Sequence, residues 1–97
     1  MNKETLIEDL NAELVRHGVR NHLSHSEDEV LFSHGRTFSS AENLRVWRNS
    51  LVNSLKQKGL NVKIHSDRGS RLLTLRPSTT MDRKIMSELV EHIRMTA

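Results

Sequence analysis

Length, composition and charge place this chain among small basic globular domains. Its 97 residues suffice for one domain, 1–97, with a modest core. Cysteine is absent, which excludes disulfides and thiolate metal sites, and no apolar run approaches the roughly 20 residues of a membrane span. Residues 1–9 are polar and acidic, unlike a signal peptide, so we expect a cytoplasmic protein with no membrane contact.

Charge is distributed unevenly along the chain. Residues 1–31 carry seven acids and three bases, a balance of −4, and residues 77–97 are neutral. Residues 32–76 between them carry nine bases and two acids, a balance of +7. A basic centre of this kind indicates either an anionic partner or a solvated cationic face.

The first third of the chain predicts a helix, a loop and a short strand. Residues 4–17 have helical periodicity, and Gly18 supplies a left-handed stop. The apolar stripe of this helix consists of Leu6, Ile7, Leu10 and Leu14. Residues 19–28 have no period and predict a loop, whereas residues 29–34 contain the apolar run of a buried strand.

A second helix follows. Ser39 and Glu42 form the pattern of a capping box, which satisfies free N–H groups at a helix start. Gly59 ends the helix, and Leu60 is expected to fold back onto its last turn. The apolar stripe consists of Leu44, Trp47, Leu51, Val52 and Leu55.

The remaining residues predict a β-hairpin and a third helix. Residues 62–65 alternate apolar and polar, residues 66–70 have turn chemistry, and residues 71–76 return as a strand closed by Pro77. Ser78 or Thr79 then caps a helix that extends to about residue 95. The apolar face of that helix consists of Met81, Ile85, Met86, Leu89, Val90 and Ile93.

The order α-β-α-β-β-α predicts an α+β fold, with a small three-stranded sheet and helices packed on one of its faces. The helical crossover after the first strand is long enough to place that strand parallel to a hairpin strand. A winged-helix variant, with the hairpin as the wing, is the alternative architecture.

The basic block predicts a nucleic-acid-binding accessory or regulatory protein. Its cations on the second helix and the hairpin are expected to follow a phosphate backbone. These residues are Arg45, Arg48, Lys63, Arg68, Arg71 and Arg76. Asn49 and Asn53 extend the helical part of the surface toward base edges. Aromatic residues number only three, and Phe32 and Trp47 are expected in the core, which disfavours base stacking.

The alternative function is a non-enzymatic protein-binding regulator or inhibitor of the phage or plasmid type. The third helix carries more apolar residues than a small sheet needs, which fits a homodimer seam or a docking face. The acidic first helix is a second candidate surface for a protein partner.

Catalytic and metal patterns are weak. His22, His25 and His34 have spacings that zinc sites use, but surface loop histidines are the favoured explanation, and we predict no metal or cofactor. His65 and Asp67 form the only acid/base pair that the sequence suggests, at the solvated hairpin tip. The chain lacks a cysteine nucleophile, a G-x-S-x-G motif and a phosphate-binding glycine loop, so we predict no enzyme.

One segment resembles a known family. A helix ending at Gly59, a strand and then Gly69-Ser70-Arg71 resemble the HicA-type toxin ribonucleases, over about a fifth of the chain. In that family a catalytic histidine follows the Gly-Ser pair. Arg71 stands at that position here, so the resemblance implies no activity for this chain.

Overall fold

A computed structural model describes residues 3–19, 28–33, 41–66 and 72–96, which form three helices and three strands. In chain order these are α1 (Lys3–Arg16), β1 (Val30–Ser33), α2 (Ala41–Gln57), β2 (Val62–Ser66), β3 (Leu72–Pro77) and α3 (Thr80–Thr96). The mixed α+β class predicted from the sequence is confirmed.

The strands lie in the order β1-β3-β2, with β3 antiparallel to both neighbours. Leu75 of β3 is therefore opposite Val30 on one side and Ile64 on the other. As the length of the crossover predicts, β1 lies parallel to a hairpin strand, β2. The two strands do not pair, because the crossover through α2 leaves one strand position between them, and β3 fills it.

The sheet has one covered and one open face. Val30, Val62, Leu73 and Leu75 share the covered face and are buried, because α2 packs against β2 and α3 packs against β3. α1 packs against the other two helices. Lys63, His65 and Arg76 lie on the opposite face and are exposed, and no described element covers them.

Glycine ends the first two helices as the sequence predicts. Gly18 and Gly59 have φ values of 79° and 103°, which disfavour residues with a Cβ. The next residue in each case donates its N–H back into the last turn: Val19 to the Leu14 carbonyl and Leu60 to the Leu55 carbonyl, both at 3.0 Å. Leu60 and Val19 are buried, so each stop also anchors its helix in the core.

The apolar stripe of α3 belongs mainly to the core. Met86, Leu89, Val90 and Ile93 are buried against the sheet and the other helices. Met81 and Met95 are exposed, but they stand at opposite ends of the helix, about 20 Å apart at the helical rise. The apolar residues that suggested a dimer seam are therefore mostly core residues, and the exposed ones are two separate methionines.

Asp82 is the buried charged residue of the described core, with 4% of its surface exposed. Its carboxylate accepts hydrogen bonds from the Asn61 N–H at 3.0 Å and from the Thr79 hydroxyl at 2.5 Å. The Thr79 hydroxyl in turn accepts the Asp82 N–H at 3.2 Å, so Thr79 caps α3 as predicted. Burial raises the pKa of Asp82, but the hydrogen bonds from Thr79 and Asn61 outweigh it and hold the pKa below its ordinary value.

Candidate nucleic-acid interface

The exposed cations of the hairpin lie on the open face of the sheet. Lys63 of β2 is directly opposite Arg76 of β3 in the antiparallel register. Two like charges in this arrangement destabilise a sheet unless an anion neutralises them. Glu29 does so in part, since its Oε1 lies 3.4 Å from Arg76 Nε, in a half-exposed pair. Lys63 and Arg76 together therefore present a positive site that a bound anion would stabilise.

Arg45 and Arg48 lie on α2, but their surroundings differ. Arg45 is exposed and lies 3.5 Å from Glu42 one turn earlier, a pair that solvent weakens. Arg48 is half-buried, and its Nη2 donates a 2.6 Å hydrogen bond to the Ile64 carbonyl. The expectation that Arg48 is simply an outward-facing cation is therefore incomplete, because it also attaches α2 to β2.

A cleft between α2 and β2 brings these residues together. Its volume is about 400 Å³, and Arg45, Arg48 and Lys63 line it. Asn49, which the sequence also placed on this surface, lines the same cleft. The apolar part of the lining consists of Val52, Val62 and Ile64. Asn53 is exposed on α2 but does not line the cleft.

Four of the six predicted binding cations are thus contiguous. Three line the cleft, and Arg76 adjoins it through its register with Lys63. We call Arg45, Arg48, Lys63 and Arg76 the basic surface. Arg68 and Arg71 lie outside the described residues, in the segment that joins β2 to β3.

Most residues of the histidine predictions lie outside the described part of the chain. His22, His25 and His34 lie outside the described residues, as does Asp67, the suggested partner of His65. Among the residues that the structure describes, no group of three His, Asp or Glu side chains is placed to hold a metal ion.

His17 has a structural role at the end of α1. Its Nδ1 donates to the Glu13 carbonyl at 2.8 Å, and its Nε2 lies 3.3 Å from the Ser50 hydroxyl. The His17 carbonyl accepts a 3.0 Å hydrogen bond from the indole of Trp47, which is buried. Trp47 is therefore committed to the α1–α2 contact and offers no ring for stacking.

A second surface lies between α1 and α3, and the sequence predicts only part of it. A groove of about 380 Å³ is lined by Glu4 and Glu8 from α1 and by Glu88 and Glu91 from α3. Ile7, His92 and Met95 complete its lining. We call it the acidic groove. The sequence shows the acids of the first helix, but only the packing of α3 against α1 adds the second pair.

Comparison with protein families, with curated proteins and with solved structures finds no match to this chain. The HicA-type resemblance therefore receives no support from these comparisons. Within the described part of the chain, no helix is both long enough and apolar enough to cross a membrane.

Proposed function

We propose that this protein binds nucleic acid without catalysis, as an accessory or regulatory protein, through the basic surface. The observation that supports this proposal is the cleft between α2 and β2, which gathers three of the predicted cations and adjoins the fourth. Lys63 and Arg76 repel each other because they lie directly opposite in the sheet. An anionic ligand that binds between them would relieve this repulsion.

Recognition in this proposal depends mainly on phosphates. Arginine and lysine side chains neutralise backbone phosphates and release counterions, a contribution that does not depend on base sequence. Asn49 is the described neutral side chain of the cleft able to hydrogen-bond a sugar or a base edge. Because Trp47 is buried, we expect weak dependence on base identity and no stacking contribution from that ring.

Fluorescence anisotropy with labelled oligonucleotides tests the proposal. Wild-type protein is titrated into single-stranded and duplex DNA and RNA at low salt, alongside Arg45→Gln, Lys63→Gln and Arg94→Gln. Arg94 lies on α3 beside Glu91, away from the basic surface, and its variant removes the same unit of charge. We expect each of the first two variants to weaken binding by a factor of about 3 to 10.

The Arg94→Gln control is expected to bind as the wild type does. Absence of binding to all four nucleic acids at low salt would exclude the proposed function. Equal loss in Arg94→Gln and Lys63→Gln would show that net charge, rather than the basic surface, governs the interaction.

The acidic groove favours a second candidate function, a protein-binding regulator. Four carboxylates line this groove together with Ile7 and the exposed Met95, a combination suited to a basic, partly apolar segment of a partner. In the homodimeric form of this proposal, the groove of one copy contacts the basic surface of another.

Analytical ultracentrifugation at low salt tests the homodimeric form. The proposal expects wild-type protein to associate, and expects Glu91→Lys to weaken that association by adding a cation at the groove. A wild-type protein that remains monomeric across the accessible concentration range would exclude it.

A further inference from the structure

The backbone of β2 shows which of its groups face the cleft. β2 is an edge strand, and in an antiparallel sheet the N–H and C=O of one residue point to the same side, alternating along the strand. The Asn61 carbonyl accepts the Ser78 N–H at 3.0 Å, so odd-numbered residues here face β3. The Ile64 carbonyl accepts Arg48, so even-numbered residues face outward. The N–H groups of Val62 and Ile64 therefore point toward the outer edge of the described sheet, which the cleft borders.

Arg48 changes what this edge can bind. A free edge normally offers alternating donors and acceptors, which suit another β-strand. The Arg48 guanidinium occupies the central acceptor, the Ile64 carbonyl, and adds a positive charge there. Of the outward backbone groups of Val62 and Ile64, the edge therefore retains two N–H donors and one acceptor, the Val62 carbonyl. This excess of donors disfavours strand addition and favours an anion.

The side chains around the edge supply further donors. Arg45, Lys63 and the Asn49 amide line the same cleft as Val62 and Ile64. Backbone N–H groups, a guanidinium and an ammonium group around one concavity are the donors that bind phosphate oxygens. The carboxylate that the structure places beside this set is Glu42, in an exposed pair with Arg45 that a phosphate can displace.

We infer that the cleft between α2 and β2 is a phosphate site that holds a backbone phosphodiester of the bound nucleic acid. The inference rests on the proposed function and deepens it by locating one contact. Arg45 and Lys63 approach the phosphate from the two sides of the cleft, and the outward N–H groups of Val62 and Ile64 face it from the strand. Arg48 holds α2 against β2 and contributes charge.

Amide NMR spectra of the ¹⁵N-labelled full chain test the site directly. The protein is titrated with a four-nucleotide thymidine oligomer, with its uncharged methylphosphonate analogue, with inorganic phosphate and with tetraglutamate. We expect the thymidine oligomer to shift the Val62 and Ile64 amide signals strongly, and the methylphosphonate analogue to leave them in place. Arg45→Gln is expected to weaken the oligomer's affinity about threefold or more, and Arg94→Gln to leave it unchanged.

The possible results separate this inference from the proposed function. Oligomer binding that shifts other amides but leaves Val62 and Ile64 unmoved would overturn the site and leave nucleic-acid binding intact. Absence of binding to this oligomer and to all longer nucleic acids would overturn both. Equal shifts with inorganic phosphate at the same concentration would reassign the cleft to free phosphate. Equal shifts with tetraglutamate would reassign it to acidic peptides.

Discussion

Lys63 lies opposite Arg76 in the sheet, so a substitution of Lys63 is expected to affect binding and stability differently. Removing Lys63 relieves the repulsion of two cations that face each other across the sheet. We therefore expect Lys63→Gln to keep or slightly raise the free energy of unfolding while it weakens nucleic-acid binding. Urea denaturation and anisotropy on the same preparation measure both quantities. A marked loss of stability would show that Lys63 has a structural role.

Asp82, in contrast to Lys63, is a polar residue that stabilises the fold. Its carboxylate accepts hydrogen bonds from two partners, so Asp82→Asn is expected to destabilise the protein by about 1–3 kcal/mol. Glu91→Gln, an exposed acid on the same helix, is the control and should change stability by less than about 0.5 kcal/mol. Urea denaturation compares them, and equal effects of the two variants would contradict the role given to Asp82.

Asp82 also predicts a pH dependence of stability. Its pKa is lower in the folded protein than the ordinary value of about 3.9 expected when unfolded. The carboxylate therefore contributes stability above about pH 4, and this contribution is lost as the pH falls through the folded pKa. Denaturation between pH 2 and pH 7 should show a smaller acid-induced loss for Asp82→Asn than for wild type. Identical pH profiles would exclude this linkage.

At the scale of elements, α3 offers a matched pair of methionines. Met86 is fully buried, whereas 77% of Met81 is exposed on the same helix. Met86→Ala should cost about 2–5 kcal/mol, because it leaves a cavity in the core. Met81→Ala should change stability by less than about 0.5 kcal/mol. If urea denaturation shows Met81→Ala to be as damaging as Met86→Ala, the exposed methionine packs against something that the described fold does not include.

The element boundaries were predictable where the controlling interactions are local. Gly18 and Gly59 each stop a helix through backbone bonds within a few residues, so the sequence itself indicates the stop. The strand order was not predictable, because the pairing of β1 with β3 joins residues 39 to 45 positions apart. For the same reason, periodicity placed Arg48 off the apolar stripe but gave no sign that the Ile64 carbonyl would lie beside it.

At the scale of the whole molecule, the two charged surfaces are separate. In the structure Glu4 and Glu8 line the acidic groove, and Glu13 lies 2.6 Å from Arg16 on its own helix. The described acids that pair with the basic surface are Glu29 and Glu42, both in exposed or half-exposed pairs. The basic surface thus retains charge for a partner.

The dependence of nucleic-acid affinity on salt concentration tests the central claim most directly. If the basic surface contacts about four to six phosphates, a plot of log K against log salt for duplex DNA should have a slope of about −3.6 to −5.4. Affinity should then fall by about two to three orders of magnitude between 50 and 200 mM salt. A slope near zero, or no measurable binding at the lowest salt, would contradict the proposal that this protein binds nucleic acid through its basic surface.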